Sequence, residues 1–269
     1  KPETKVTIAL GIHKQTAIAN SNGQWKTVFP SLKAKGQTLR IIAETAMGKS
    51  VLDDILVGEV WLCAGQSNME WKLSQSASAK IEIPVAKHAR LRLFNFLGAA
   101  RGGSRDYPPE LVKRLTPQRF CSGQWRKCSP DSAAPFSAVG YFFGQKLLSN
   151  LDAPVGLINI AMGGTPAEAW VRRGALASHP QLAAMTRGNW LNNKSLEPWC
   201  RGRGASNLKR ALAANDFIPG DDLGPNHSFK PAFMWDAAVA PLAQMPIAGV
   251  LWYQGESNAE SEWRVAQHD

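Results

Sequence analysis

The sequence predicts an α/β protein in which a three-layer domain with a parallel sheet follows a small β-sheet module. Two observations predict this fold. Residues 5–57 contain segments that alternate with the period of two typical of half-buried strands, whereas short apolar segments separated by helical spacing begin at residue 58. Apolar strands joined by helices are typical of a parallel sheet covered on both faces. We therefore assign residues 1–57 to a sandwich-like β-module and residues 58–269 to the α/β domain.

Composition describes an ordinary globular chain of 269 residues, of which 44% are hydrophobic and 19% charged. Its 31 Lys and Arg against 21 Asp and Glu give a formal net charge of +10, which suits an anionic substrate. The basic residues accompany no nucleic-acid motif, so we expect no nucleic-acid partner. No apolar run approaches the roughly 18 residues that cross a bilayer. The cysteine spacing fits no zinc template, so we expect no metal.

The β-module is predicted from two alternating segments. Val6, Ile8 and Leu10 alternate with smaller or polar residues, and residues 39–43 show a similar pattern. Between them, SNGQW at 21–25 supplies residues that favour turns.

Three strands and two helices are predicted in the second domain. The strands are VWLCA at 60–64, VGLINIA at 155–161 and IAGVLWYQ at 247–254. Apolar residues recur at helical spacing over 139–147 and 233–241. The long polar segments 98–136 and 178–230 fit neither pattern, apart from a short helix near 208–214. Loops of such length usually line functional sites or are partly disordered.

The residues that directly follow the three strands are small, polar and rich in glycine. They read AGQSNM at 64–69, AMGGTPAEAW at 161–170 and QGESN at 254–258. Ligands of open parallel sheets bind beyond the carboxyl ends of the strands, so we expect the three loops to form one site. Taken singly, each loop is more simply explained as a strand-to-helix turn or a helix cap.

Together the loops hold the parts that acyl transfer needs. Ser67 offers a hydroxyl nucleophile and its own backbone N–H. A backbone N–H of Gly163 or Gly164 and the Gln254 amide offer further donors for the oxyanion of the transition state. Met69 stands where the G-x-S-x-G nucleophile elbow has its second glycine, so a different serine-hydrolase arrangement is required.

Three blocks in this order, VWLCAGQSNMEW, INIAMGGTPAEAW and GVLWYQGESNAE, resemble the signature blocks of the sialate O-acetylesterases. These enzymes are a branch of the SGNH hydrolases that removes acetyl esters from sugars. The preceding WKTVFPSLKAKGQTLRI and the DDILVGEVW junction are similar to the small β-domain that those enzymes carry first. The resemblance runs from about Val6 to the last residue.

The resemblance implies a cofactor-free serine esterase for O-acetylated sugars, with sialic acid as the first choice of sugar. It makes Ser67 the nucleophile. It also makes Gly163 or Gly164, together with Gln254, partners of the Ser67 N–H in the oxyanion hole. For the mature form of such an enzyme we expect an extracellular, periplasmic or lysosomal location, and the amino-terminal residues KPETKVTIALG show no signal-peptide pattern.

Four further residues of the blocks are candidates for supporting roles. Asn68 and Glu256 are expected to brace the loops rather than to touch the acyl group. Trp170 and Trp252 could stack on a sugar ring, although a tryptophan in or beside a strand is more often part of a core.

The base that must activate the serine is not evident. The family carries it in a D-x-x-H block, and this sequence contains no such block. The five histidines are His13, His88, His179, His227 and His268. His227, within GPNHSFKP, is the candidate base, because loops at this position can fold over the strand ends.

The alternative source of the base is polypeptide beyond this sequence. Three clear strands are fewer than a doubly wound domain usually has, and EWRVAQHD at 262–269 resembles the beginning of an amphipathic helix. A sheet edge and an apolar face would then be uncovered. We favour the hypothesis that this chain is an amino-terminal piece and that a carboxyl-terminal segment, or a second chain after cleavage, supplies Asp and His.

The cysteines leave their pairing open. Cys121 and Cys128 flank a short polar segment and could close a disulfide loop in an oxidising compartment. Cys63 is expected to be a buried thiol, and Cys200 has no obvious partner.

Two other functions stay open. An acetyl esterase for xylan or another polysaccharide would use the same machinery. A carbohydrate-binding protein that kept the fold but lost catalysis would explain the absent D-x-x-H block. The intact Ser67, Gly163, Gly164 and Gln254 argue against that second alternative.

Overall fold

The computed structural model describes residues 1–34, 36–100, 103 and 105–259, which form a mixed α/β fold with two main sheets. The strands are β1 Lys5–Leu10, β2 His13–Ile18, β3 Leu39–Thr45, β4 Gly48–Ile55, β5 Glu59–Gly65, β6 Leu91–Asn95, β7 Leu97–Gly98, β8 Cys121–Ser122, β9 Trp125–Lys127, β10 Val155–Asn159, β11 Gly220–Asp221, β12 Gly224–Pro225 and β13 Gly249–Tyr253. The α-helices are α1 Ser67–Glu70, α2 Ala79–Val85, α3 Pro109–Val112, α4 Pro117–Phe120, α5 Pro130–Ala133, α6 Ala138–Asn150, α7 Arg173–Ser178, α8 Pro198–Asn207 and α9 Lys209–Ala213. Short 3₁₀ turns span Leu73–Gln75, Ala167–Trp170, Ala183–Thr186, Ala240–Leu242 and Glu256–Asn258, and a π turn spans Trp235–Val239.

The β-module is one antiparallel sheet of four strands in the order β2-β1-β3-β4. Val6, Ile8 and Leu10 face its buried side, while the residues between them are partly exposed. The alternation predicted for β1 is confirmed, and the segment 39–43 lies in β3 as predicted.

The larger sheet has five strands in the order β13-β5-β10-β6-β9, and all except β9 run parallel. Three of them, β5, β10 and β13, confirm the predicted strands. The expectation of only three strands is wrong, because β6 and β9 belong to the same sheet. Arg92 breaks the apolar pattern of β6, and its guanidinium pairs with Asp54 of the β-module at 2.9 Å. Hydropathy alone does not predict a strand here because of the charge on Arg92. The strand tolerates this charge because it is paired with Asp54, 38 positions earlier in the sequence.

Apolar clusters cover both faces of this sheet. On one face Leu91 and Leu157 pack with Tyr141 of α6, which confirms the helix predicted over 139–147. On the other face the cover is irregular and includes the π turn Trp235–Val239. The α-helix predicted over 233–241 is replaced by this turn and a 3₁₀ turn that contains Pro241, which has no N–H to donate to an α-helical ladder.

The two long polar segments hold more regular structure than expected. The segment 98–136 contains α3, α4 and α5, and the segment 178–230 contains α8 and α9. The short helix predicted near 208–214 is confirmed as α9.

One side of the larger sheet is open. Within the described residues β13 pairs with β5 alone. Val250 and Trp252 are each 51% exposed and Tyr253 is 46% exposed. Exposed apolar side chains on an edge strand favour association with further polypeptide.

All four cysteines are free thiols. The disulfide considered between Cys121 and Cys128 does not form, and the Cys128 thiol instead contacts the Ala86 carbonyl oxygen at 3.8 Å. Burial raises the pKa of Cys63 to about 12, as expected for a buried thiol. In the described part of the chain, no helix is long and apolar enough to cross a membrane, and no group of His, Cys, Asp and Glu could hold a metal ion.

Candidate active site

Ser67 stands at the junction of β5 and α1, where the backbone turns sharply. Gly65 has a φ of +135°, and a Cβ there would lie 2.0 Å from the Tyr253 carbonyl oxygen, so the junction requires glycine. The Gln66 N–H donates to that same carbonyl at 3.0 Å. Ser67 begins α1 and is exposed, which presents its hydroxyl to solvent beyond the carboxyl end of β5.

Gln66 joins the first loop to the third. Its side chain is 3% exposed, and its Oε1 accepts the Ser257 N–H at 3.1 Å and the Gly255 N–H at 3.4 Å. The Gln254 amide is a third donor at 3.3 Å. Three donors on one buried oxygen hold the loops after β5 and β13 in one arrangement. Sequence reasoning missed this residue, although an amide directly before the serine in AGQSNM was the available signal.

Gln254 lies within this network and is not a free donor. Besides Gln66 Oε1, its Nε2 lies 3.2 Å from the Thr165 carbonyl oxygen and 3.1 Å from Asn258 Oδ1. The two amide hydrogens are thus shared among three acceptors, one in each loop. The geometry shows a bracing role, and the oxyanion role stays a prediction.

Asn258 and Glu168 connect the third loop to the second. Asn258 Oδ1 accepts the Ala167 N–H at 2.8 Å, and Asn258 Nδ2 donates to Glu168 Oε2 at 2.9 Å. Glu168 is 4% exposed. A buried polar network of this kind adds rigidity when its members have partners. Neither side chain was singled out from the sequence.

The second loop brings Gly163 against Ser67. A Cβ at position 163 would lie 3.7 Å from the Ser67 Cβ. The Gly163 N–H donates to Glu70 Oε2 of α1 at 2.7 Å, so this predicted oxyanion donor is already engaged. Gly164 adopts a φ of +79°, and no described residue accepts its N–H. Of the two glycines, Gly164 is the one with an available N–H.

Asn68 and Glu256 contact each other across the first and third loops. Asn68 Nδ2 donates to Glu256 Oε1. This contact agrees with the bracing role predicted for both residues. The other carboxylate oxygen, Glu256 Oε2, is buried and accepts no hydrogen bond from the described residues.

His227 is not placed to act as the base, and that prediction is wrong. It is fully buried and stacked on Tyr107, with 5.6 Å between the ring centroids. Nδ1 accepts the Phe229 N–H at 3.0 Å, and Nε2 lies 3.1 Å from Asn207 Oδ1. Burial lowers the pKa of His227 to about 3. The segment GPNHSFKP therefore packs into the core instead of folding over the strand ends.

The other described histidines also lie elsewhere. His13 belongs to β2, His88 lies 3.4 Å from the Tyr141 hydroxyl, and His179 accepts the Gln181 N–H. Among the residues that the structure describes, no histidine hydrogen bonds to Ser67. His268 and the predicted helix at 262–269 lie outside those residues.

The two candidate stacking tryptophans differ. Trp170 is 5% exposed, and its Nε1 donates to Thr165 Oγ1 at 2.9 Å, so the core alternative is correct for it. Trp252 packs edge-on against Trp170 and keeps an exposed face.

The fold and the position of the serine together indicate the class of protein to which the chain belongs. The chain is an α/β protein with an exposed serine beyond the carboxyl ends of parallel strands, which is where open α/β sheets bind their ligands. No family model matches the chain. A solved structure of a carbohydrate acetylesterase from Xanthomonas citri is similar, with a TM-score of 0.68 and 26% identity. The similarity covers 97% of this chain and 47% of that one.

Comparison with curated protein sequences indicates a more specific family within this class. Sialate O-acetylesterases of Rattus norvegicus and Homo sapiens are 30% and 27% identical to this chain over 91% and 96% of its length. The resemblance to the sialate O-acetylesterases is thereby confirmed. The matched region is 44% of each of these relatives, so the chain spans less than half of their length.

Proposed function

We propose that the protein is a serine esterase that removes O-acetyl groups from sugars, with sialic acid as the preferred sugar. One observation carries the proposal: the exposed Ser67 hydroxyl stands where three loops interlock through Gln66, Gln254 and Asn258. The similarity to named acetylesterases supports an acetyl ester of a sugar as the substrate. The net charge of +10 favours a sugar that carries a carboxylate.

In the proposed reaction, Ser67 Oγ attacks the acetyl carbonyl carbon while a base takes its proton. The carbonyl oxygen becomes an oxyanion, stabilised by the N–H groups of Ser67 and Gly164. The Gln254 amide is the third proposed donor, and it exchanges one of its present acceptors for the oxyanion. Collapse of this intermediate breaks the ester bond, and the sugar oxygen leaves with the proton held by the base. Water then attacks the acetyl-enzyme, releases acetate and restores Ser67.

The Asp and His that complete the site are proposed to lie in polypeptide outside the described residues. That polypeptide is a carboxyl-terminal segment, or a second chain after cleavage, of an SGNH-type domain that begins at residue 58 and follows the β-module of residues 1–57. The unpaired Glu256 Oε2 and the exposed side chains of β13 support this proposal, since both would gain partners from such a segment. The intact mass of the natural protein tests it. A natural protein of 29.3 kDa that hydrolyses acetyl esters alone would contradict it.

Substitution of the nucleophile tests the reaction. In the natural full-length protein, Ser67→Ala is expected to lower acetyl release at least on the order of 10,000-fold. Ser50→Ala, an exposed serine of β4, is the matched control and should leave the rate unchanged. Turnover by Ser67→Ala close to that of the control would remove the nucleophile assignment.

Two rival functions are separated by further assays. Parallel rates on O-acetylated sialic acid and on acetyl-xylan distinguish the preferred sugar from a plant polysaccharide. The similarity to a carbohydrate acetylesterase is compatible with both substrates. A fluorophosphonate probe distinguishes an esterase from a carbohydrate-binding protein of the same fold, because a serine without its base reacts poorly.

We also propose that the mature protein works in an extracellular, periplasmic or lysosomal compartment. Three of the four free thiols are buried, and burial keeps Cys63 and Cys128 protonated, which is compatible with oxidising surroundings. Fractionation of the producing cells, followed by detection of the protein, tests the proposal.

A further inference from the structure

A second concave surface lies on the same rim of the sheet as Ser67. It is a groove of about 610 Å³, which we call the β6–β9 groove. Its lining residues are Leu93, Asn95, Leu97, Ser122, Gly123, Gln124, Arg126, Asp131, Ser132, Pro135 and Phe136. None of these residues has been given a role in the esterase site above.

The floor and one wall of the groove come from the sheet. Leu93 and Asn95 lie two residues apart in β6 and therefore point to the same face. Leu93 is paired across the ladder with Arg126 of β9, and Gln124 lies two residues before Arg126. Polar side chains thus surround the buried Leu93 on this face at the carboxyl end of β6.

The opposite wall is fastened to the nucleophile helix. The Phe136 carbonyl oxygen accepts the Leu73 N–H at 2.8 Å, and the Ala138 N–H donates to the Trp71 carbonyl oxygen at 2.7 Å. Trp71 directly follows α1, and half of its surface is exposed. The wall around Phe136 is therefore continuous with the segment that carries Ser67.

The groove also lies at a defined distance along the rim. Asn159 Nδ2 at the end of β10 donates to Asn95 Oδ1 at the end of β6 at 2.8 Å, so both strand ends are level. Two strand spacings separate β5 from β6, which is about 10 Å along the rim. That separation suits a neighbouring sugar of the same chain and is too long for a second contact to the acetyl group itself.

The chemistry of the groove fits neutral sugars. The exposed side chains of Gln124, Arg126 and Asp131 form no hydrogen bond with any other described side chain or backbone group in the structure, so they can bind an incoming hydroxyl. Asn95 and Ser132, in contrast, are fixed by bonds to Pro135 and Lys127. One cation and one anion leave no net charge, so hydroxyl groups are better matched than a carboxylate.

We propose that the β6–β9 groove binds neutral sugar residues next to the acetylated one, so that the natural substrate is an acetylated oligosaccharide or polysaccharide and not a free monosaccharide. This inference rests on the proposed esterase function for its activity readout. Its binding readout does not depend on catalysis.

Binding is tested by ligand-observed NMR on the natural full-length protein with xylotetraose and with lactose as neutral probes. Binding to the wild type, weakened about tenfold or more in Gln124→Ala/Asp131→Ala, is expected for two lost hydrogen bonds. Lys14→Ala, an exposed residue of β2, is the control. Absence of binding by the wild type, or equal binding by the double variant, would overturn the proposal.

Esterase assays on a small and a large substrate then test the sugar-binding groove separately from the proposed esterase function. The double variant should keep the wild-type rate on 4-nitrophenyl acetate, which is too small to reach the groove, and should raise KM for an acetylated oligosaccharide about tenfold with little change in kcat. An unchanged KM for the oligosaccharide would overturn the groove assignment while leaving the esterase intact. Wild-type protein inactive on every acetyl ester would instead overturn the esterase.

Discussion

Two clusters of buried polar groups can be compared in this molecule, one around His227 and one around Gln66. In the first, both ring nitrogens of His227 have partners, and aromatic rings enclose the imidazole. In the second, the amides of Gln66 and Gln254 also have partners. Beside the first, Ser228 Oγ is buried without a hydrogen bond from the described residues. The Ser67 hydroxyl is exposed without a hydrogen bond from the described residues, and Glu256 Oε2 is buried without one.

The two clusters differ in exposure: the Ser67 hydroxyl beside the second is open to solvent, whereas His227 in the first is fully buried. Buried polar groups are normally satisfied, because an unpaired one costs about 1–3 kcal/mol. His227 follows that rule, and its hydrogen bonds contribute to the stability of the core. The amides of the Gln66 cluster follow it as well, and their bonds hold the loop that carries the exposed Ser67.

The strongest test of this comparison is Gln254→Ala. Removing one oxyanion donor typically lowers kcat on the order of 100- to 1000-fold, and we expect a loss of that size with KM little changed. A purely bracing residue would instead lower stability and leave kcat per folded molecule near the wild-type value. Measurement of kcat by acetate release, together with the free energy of unfolding from chemical denaturation, distinguishes the two results.

Gln254→Glu is the matched variant. Its carboxylate would face three acceptor oxygens, on Gln66, Thr165 and Asn258, and could donate to none of them while ionised. We expect it to be less stable than Gln254→Ala. Equal stability of the two variants would mean that the network observed around Nε2 does not form in solution.

The second test is His227→Ala, which should act on stability alone. The change leaves a cavity and removes the partners of the Phe229 N–H and Asn207 Oδ1, so we expect a loss of about 3–5 kcal/mol. His13→Ala, in β2, should cost less than about 0.5 kcal/mol. Urea unfolding gives both values. A large fall in kcat of folded His227→Ala protein would contradict its exclusion from the site.

Two kinds of feature in this molecule differ in how far the sequence predicts them. The strand ends at Ser67, Gly163 and Gln254 were found because each follows a local apolar run, and parallel topology then brings them together. The hydrogen bonds between these loops could not be predicted from the sequence, because Gln66 and Ser257 lie 191 positions apart and no local pattern pairs them. His227 was misjudged for the same reason, since burial depends on rings brought from distant segments.

The pH dependence of the free energy of unfolding gives a further test of whether His227 is buried as a neutral side chain. The folded pKa of His227, about 3, lies below its ordinary value of 6.5, so between these pH values the unfolded chain binds a proton that the folded chain does not. The contribution of His227 is therefore fully present above about pH 6.5 and is lost as the pH falls toward 3, by up to about 1.4 kcal/mol per pH unit. Unfolding free energies of the wild type and His227→Gln should converge on acidification. Parallel curves would contradict the burial of a neutral imidazole.

The smallest expected effect concerns Glu70, whose carboxylate accepts the Gly163 N–H beside Ser67. Glu70→Gln keeps an oxygen that can accept this bond but removes a negative charge next to the proposed position of the oxyanion. We expect kcat to rise, by less than about tenfold because the site is open to water and its charges are screened. Glu70→Ala removes the bond as well and should lower kcat, because the second loop loses its tie to α1. If both variants lost activity equally, the negative charge itself would be required, and Glu70 would belong with Ser67 among the reactive groups.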